Sequence, residues 1–114
     1  SIANLHKIGY SKSDVPERIK NAKHDPTYLM ASVSIVGIWQ CFNMNPQKFE
    51  QLLHNFFGEA CLDLDVVDDN GKRHRPQEWF IVPIEVVNQA IEMIISGVIV
   101  NYRYDQESES IVLR

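Results

Sequence analysis

The chain has 114 residues, 45% of them apolar and 23% charged, and a formal net charge of −4. That length suits one domain around one hydrophobic core and is too short for two. The composition is that of an ordinary globular domain, and apolar runs such as residues 79–84 are far too short to span a bilayer.

In chain order, residues 5–10 read as a short strand closing on Gly9. Ser13 or Asp14 offers an N-cap, with Pro16 in the first turn and Glu17 at the positive end of the dipole. This predicts a helix over 15–23 with Val15, Ile19 and Ala22 inward. Asp25-Pro26 ends it, because the residue before a proline is pushed out of the helical region. Residues 30–42, rich in Val, Ile and aromatics, predict a long strand with Gly37 as a bulge. A cap within residues 43–46 leads into a second helix over 46–57, where Phe49, Leu52, Leu53, Phe56 and Phe57 form an apolar stripe. Gly58 is its stop. Residues 62–67 begin as an alternating strand, Asp68-Asp69-Asn70-Gly71 is a turn, and residues 79–82 are expected as the returning strand. After Pro83, a third helix over 84–95 places Ile84, Val87, Ile91, Ile94 and Ile95 inward and ends at Gly97. Residues 98–104 and 111–113 then pair around the acidic turn 105–109. The order gives an α+β fold, a small, mostly antiparallel sheet flanked by about three helices.

Cys41 and Cys61 lie in apolar surroundings, with no second pair and no histidine at metal spacing. Free thiols of a reducing compartment follow, so a cytoplasmic location is expected. No basic segment precedes an apolar core at the N-terminus, so no secretory signal is visible. Ser1-Ile2-Ala3-Asn4 also reads as a cut point inside a longer protein. The charge is uneven: residues 1–24 hold five Lys/Arg against Asp14 and Glu17, a net of +3, which leaves −7 for the rest. Lys72, Arg73, His74 and Arg75 form a compact basic cluster. Screening limits each charge to about 10 Å, so one face can meet phosphates despite the acidic total.

Three features stand out together. Lys7-Ile8-Gly9-Tyr10-Ser11 closes the first strand. Arg18 follows Gly9 by nine residues within Pro16-Glu17-Arg18-Ile19-Lys20, on the first helix. Glu78 stands in Pro76-Gln77-Glu78-Trp79-Phe80, at the start of a later apolar segment. A fixed cation near a helix start and one acid on a rigid element suit a site holding a phosphodiester and a metal ion. Over roughly residues 5–87, in residue type and spacing, this resembles the GIY-YIG nuclease superfamily, and within it the subfamily named after a phage open reading frame.

The resemblance implies that Arg18 contacts the scissile phosphate and that Glu78 is the single protein ligand of Mg²⁺ or Mn²⁺. Read as residues alone, Arg18 is a solvated helix arginine beside Asp14, and Glu78 a charged residue at a hairpin edge beside Arg75. His54, four residues after Glu50 on one helix face, would orient water or relay a proton, or else is a polar residue bonded to Glu50 at the core edge. His6 or Lys7 stands where the signature's second tyrosine would be: His6 as proton acceptor, Lys7 as phosphate contact, with Tyr10 as an alternative hydroxyl. Asn88 is the stand-in for the family's late asparagine. Lys7, Lys12, Lys20, Arg73 and Arg75 are the expected nucleic-acid contacts. Trp39, Phe42, Phe56, Phe57, Trp79 and Phe80 belong to the core rather than to base stacking.

The implied function is a metal-dependent DNA endonuclease, with DNA as partner and no membrane. The strand carrying the signature's first tyrosine would precede Leu5, so the chain is expected to be a single domain over 1–114, a fragment lacking that strand. Its absence would leave residues 5–10 with an open edge, a template for self-association. The alternative is an interaction module, for nucleic acid or protein, that keeps the fold without catalysis.

Overall fold

A computed structural model describes residues 4–10, 14–30, 33–38 and 45–114. The architecture is α+β, with three α-helices and three two-stranded antiparallel sheets among the described residues. The elements are β1 (Leu5–Lys7), α1 (Val15–Ile19), α2 (Pro46–Phe56), β2 (Val66–Val67), β3 (Arg73–His74), β4 (Trp79–Ile81), α3 (Ile84–Ser96), β5 (Tyr102–Asp105) and β6 (Ser110–Leu113). No helix among the described residues is long and apolar enough to cross a membrane.

The first strand ends at Lys7, earlier than the expected residue 10, although Ile8 N–H still donates to the Glu78 carbonyl at 3.0 Å. It pairs with β4 in the register Leu5↔Ile81, His6↔Phe80, Lys7↔Trp79. Helix α1 is also shorter than expected. Asp14 occupies its N-cap without a side-chain bond, and the chain tightens into 3-10 turns at Ala22–His24 and Pro26–Tyr28. Asp25 organises the second turn, its carboxylate accepting from Thr27 N at 2.9 Å and Thr27 Oγ1 at 2.8 Å.

The long strand expected over 30–42 is absent where it is described. Residues 33–38 form no strand, and Val36 is 60% exposed. Strand propensity needs a partner strand to act on, and this segment has none among the described residues. It also follows Leu29 and Met30, both left-handed at φ 58 and 53, which breaks extended geometry at its start. Residues 31–32 and 39–42 of that expectation lie outside the described residues, as do Trp39, Cys41 and Phe42.

Helix α2 begins as its residues dictate: the Asn45 side chain accepts from Gln47 N at 2.9 Å, with Pro46 at the first helical position. The turn at 68–71 forms too, but it returns through β3, pairing Val66↔His74 and Val67↔Arg73. Residues 79–81 instead go to β1, and their other side meets Cys61, with Leu62 N–H donating to the Trp79 carbonyl at 2.8 Å. The physical reason is burial: Phe80 and Val82 are among the most deeply buried side chains, which a two-residue surface hairpin has no room to cover.

Phe80 and Trp79 alternate to opposite sides of β4. Phe80 joins Leu53, Phe57, Val82, Val87, Ile91, Ile94 and Tyr104 in the main core, while Trp79 joins Ala22 and Tyr28 in a second cluster. Two expected core positions are corrected. Leu52 is 47% exposed and Ile95 is 67% exposed. Each neighbours a residue that does face the core, Leu53 or Ile94, and adjacent helix positions point about 100° apart. Helix α3 ends at Gly97 with φ 81, a left-handed cap that glycine adopts without a Cβ penalty.

Candidate functional site

The antiparallel pairing of β1 with β4 brings Lys7 beside Glu78. The ammonium lies 3.7 Å from Glu78 Oε2, with the lysine side chain 13% and the glutamate 30% exposed. The same Nζ sits 4.8 Å above the centroid of the Tyr28 ring. Tyr28 is held there by its own turn and by Trp79, whose Nε1–H donates to the Thr27 carbonyl at 2.9 Å. A Cβ on Gly9 would fall 2.8 Å from Lys7 Nζ, so the glycine leaves the space the lysine head occupies. This is the least exposed Lys/Arg–carboxylate pair of the described residues, and a partly buried ammonium requires such partners.

Beside this pair, α2 presents Glu50 and His54 on one face. His54 Nε2 donates to the Ile8 carbonyl at 2.7 Å and lies 3.8 Å from Glu50 Oε1. Its ring packs on Phe80 with centroids 5.1 Å apart. The hydrogen bond puts the proton of the neutral ring on Nε2 and leaves the lone pair on Nδ1. The same Gly9 position lies 4.0 Å from Glu50 Oε2, so a second carboxylate borders the space near Lys7. Glu50 entered the sequence reading only as the partner of His54. Its i,i+4 spacing to that histidine was the signal that both face the site.

The other expected residues fall in different places. His6 is next to Lys7 on the strand and so faces the opposite side; its Nδ1 donates to the Val82 carbonyl at 2.8 Å. Tyr10 is half-buried and lies past the end of β1 instead of within it. Arg18 stands in the last turn of the short α1, not the first; it is exposed and forms no ion pair among the described residues. Lys20 is paired with Glu17. Arg75 is not beside Glu78: it pairs with Asp63 at 2.5 Å and Asp65 at 3.5 Å, and Asp63 raises its pKa further. Arg73 is exposed on β3. Lys12 lies outside the described residues.

Among the described residues no three His, Cys, Asp or Glu side chains stand close enough to enclose a metal ion. Glu78 nonetheless suits a single-carboxylate site for a hard divalent cation. Its carboxylate accepts no hydrogen bond among the described residues, and the Lys7 ammonium stands beyond direct hydrogen-bond length. Mg²⁺ tolerates such a site, keeping waters and phosphate oxygens as its remaining ligands.

Residues 1–95 match the model of the T5orf172 domain. An uncharacterized protein of Bacillus subtilis (strain 168), YeeC, is 43% identical over 95 residues, which is 83% of this chain. The chain spans only 25% of that relative's own length. No solved structure matches.

Proposed function

The chain belongs to the T5orf172 domain family, and from that premise we propose that it is a DNA endonuclease module of GIY-YIG type, hydrolysing phosphodiester bonds with Mg²⁺ or Mn²⁺. The observation that carries the reading is the pairing of Lys7 with Glu78 at 3.7 Å, a cation and a lone carboxylate on adjacent strand ends. Glu78 would hold the divalent cation. When bound, that ion supplies charge neutralisation at the phosphate.

The chain's own residues supply the rest. Arg18, exposed and without an acidic partner among the described residues, holds a non-bridging phosphate oxygen through its forked donors. A base takes a proton from the attacking water, whose oxygen bonds to phosphorus as the bond to the leaving sugar oxygen breaks. His54 is the favoured base because its Nδ1 lone pair is left free by the bond to Ile8. His6 offers Nε2 and Tyr10 its hydroxyl as the alternatives, the first of them on the opposite side of β1 from Lys7.

Incubating the full-length protein with supercoiled plasmid and Mg²⁺ or Mn²⁺ tests this. Nicking that falls by about 10² or more on Arg18→Ala and on Glu78→Ala is expected. A protein inert with every divalent metal, or variants with unchanged rates, would overturn it.

A second reading has its own support. Lys20 and Arg75, two of the cations expected to meet DNA, are already neutralised by Glu17 and by Asp63 with Asp65. A non-catalytic module that binds nucleic acid or protein through the same face fits that smaller basic footprint. It predicts inertness towards every DNA substrate.

A further inference from the structure

The head of Lys7 is held by three features at once: the Glu78 carboxylate at 3.7 Å, the Tyr28 ring at 4.8 Å and the gap at Gly9. The support beneath it is strained. Leu29 and Met30, directly after Tyr28, are both left-handed at φ 58 and 53, a conformation that costs bulky residues energy and persists only where the surroundings enforce it. Trp79 enforces it here, through its bond to the Thr27 carbonyl and through its packing with Tyr28 and Leu29. Lys7 is thus held against the acid that the proposed function assigns to the metal.

A divalent cation bonds a carboxylate oxygen at about 2.0–2.1 Å, so it would arrive within a few ångströms of the ammonium. Two positive charges at that separation, in a partly buried site, repel each other more strongly than the lysine is attracted to its acid. We infer that Lys7 is a latch on Glu78: its ammonium neutralises the carboxylate while no cation is bound, competes with a divalent cation for it, and is released towards a phosphate oxygen when the cation binds. This rests on the reading of Glu78 as the metal ligand. It makes nucleic-acid affinity and metal occupancy favour one another, since by linkage each ligand strengthens the other by the same factor.

Direct titration of Mn²⁺ into the full-length protein, followed by calorimetry, tests the latch without any cleavage assay. Lys7→Met keeps the apolar stem and removes the charge, and should tighten Mn²⁺ binding about tenfold, while Glu78→Gln should abolish it. Gly9→Ala is the second variant. It retains the lysine but places a methyl 2.8 Å from Nζ, which must move aside, so it should also tighten Mn²⁺ binding. In the wild type, Ca²⁺ should raise affinity for a short DNA duplex, and Lys7→Met should lose that gain. Wild-type binding of Mn²⁺ that neither variant strengthens overturns the latch and leaves the nuclease reading standing. Absence of Mn²⁺ binding in both wild type and Lys7→Met overturns the metal assignment of Glu78, and the latch with it. Tighter binding in the variants without plasmid nicking supports the latch and removes only the catalytic claim.

Discussion

The imidazole of His54 is tied to the carbonyl of Ile8 at 2.7 Å, so helix α2 is pinned to the segment that follows β1. The bond joins the α2 face carrying Glu50 to the segment at Gly9. It gives the histidine a structural role whatever its part in chemistry, and the two roles separate by substitution.

His54→Leu leaves the Ile8 carbonyl without its donor and should destabilise the protein by about 1–3 kcal/mol in urea unfolding. His54→Gln keeps a donor and should recover most of that loss. If Nδ1 takes the proton from water, the Gln variant should still cleave DNA about 10²-fold more slowly than wild type. Full activity in a stable Gln variant would assign His54 to structure alone.

Much of this arrangement is local and so was legible in the sequence. The Asn45 cap, the turn at Asp68-Asp69-Asn70-Gly71 and the glycine end of α3 depend on a few adjacent residues, and each formed as its side chains dictate. Partner choice is not local. Trp79 and Phe80 read as a strand, but only the demand to bury both faces sends them to β1 instead of across the turn from residues 62–67. Residues 33–38 show the converse, a β-rich composition left without a partner among the described residues. At the site, the sequence named Lys7, Glu78 and His54 individually. That Lys7 meets Glu78 follows from strand register, which a single sequence does not display.

The two arginines around β3 should differ in their effect on nucleic-acid binding. Arg75 is neutralised by Asp63 and Asp65, whereas Arg73 has no acidic partner among the described residues. If the protein binds DNA through this face, Arg73→Ala should weaken binding and lower the slope of log affinity against log salt by about one. Arg75→Ala should change the slope by much less. Fluorescence anisotropy across a salt series measures both, and equal slopes for the two variants would place the contact face elsewhere.

Acid should loosen the β2–β3 turn at a lower pH than carboxylates usually titrate. Asp68 accepts from His74 Nε2 at 2.8 Å and from the Asn70 and Lys72 amides at 2.9 Å each. The His74 bond first, and the backbone donors with it, hold its pKa below the ordinary value. A carboxyl with a depressed folded pKa stabilises the fold above its unfolded pKa, and this contribution is lost as pH falls through the folded one. NMR should therefore show the Asn70 and Lys72 amides shifting with a midpoint below that of an ordinary aspartate, about pH 4, and Asp68→Asn should remove the transition. Amide shifts complete by that pH would mean the carboxylate is not held as the geometry requires.

Tyr104 should govern the alkaline limit of the C-terminal hairpin. The ring is buried, packed edge-on against Phe57 with centroids 5.1 Å apart, and its hydroxyl has no hydrogen-bond partner among the described residues. Burial chiefly, then the carboxylates of Glu109 and Asp105, push its pKa above the usual tyrosine value. The neutral phenol is therefore favoured in the fold. Stability is fully retained below the unfolded pKa of about 10, and it declines as pH rises from there through the folded value, because the unfolded chain ionises first. Tyr104→Phe deletes both the ionisation and an unsatisfied buried hydroxyl. The variant should be as stable as wild type at neutral pH, or more stable by about 1 kcal/mol, and should lose this part of the alkaline decline. Urea midpoints from about pH 8 to pH 11, with tyrosinate absorbance as a second signal, follow both effects. A Phe variant clearly less stable at neutral pH would show that the hydroxyl has a partner, and the alkaline argument would fall with it.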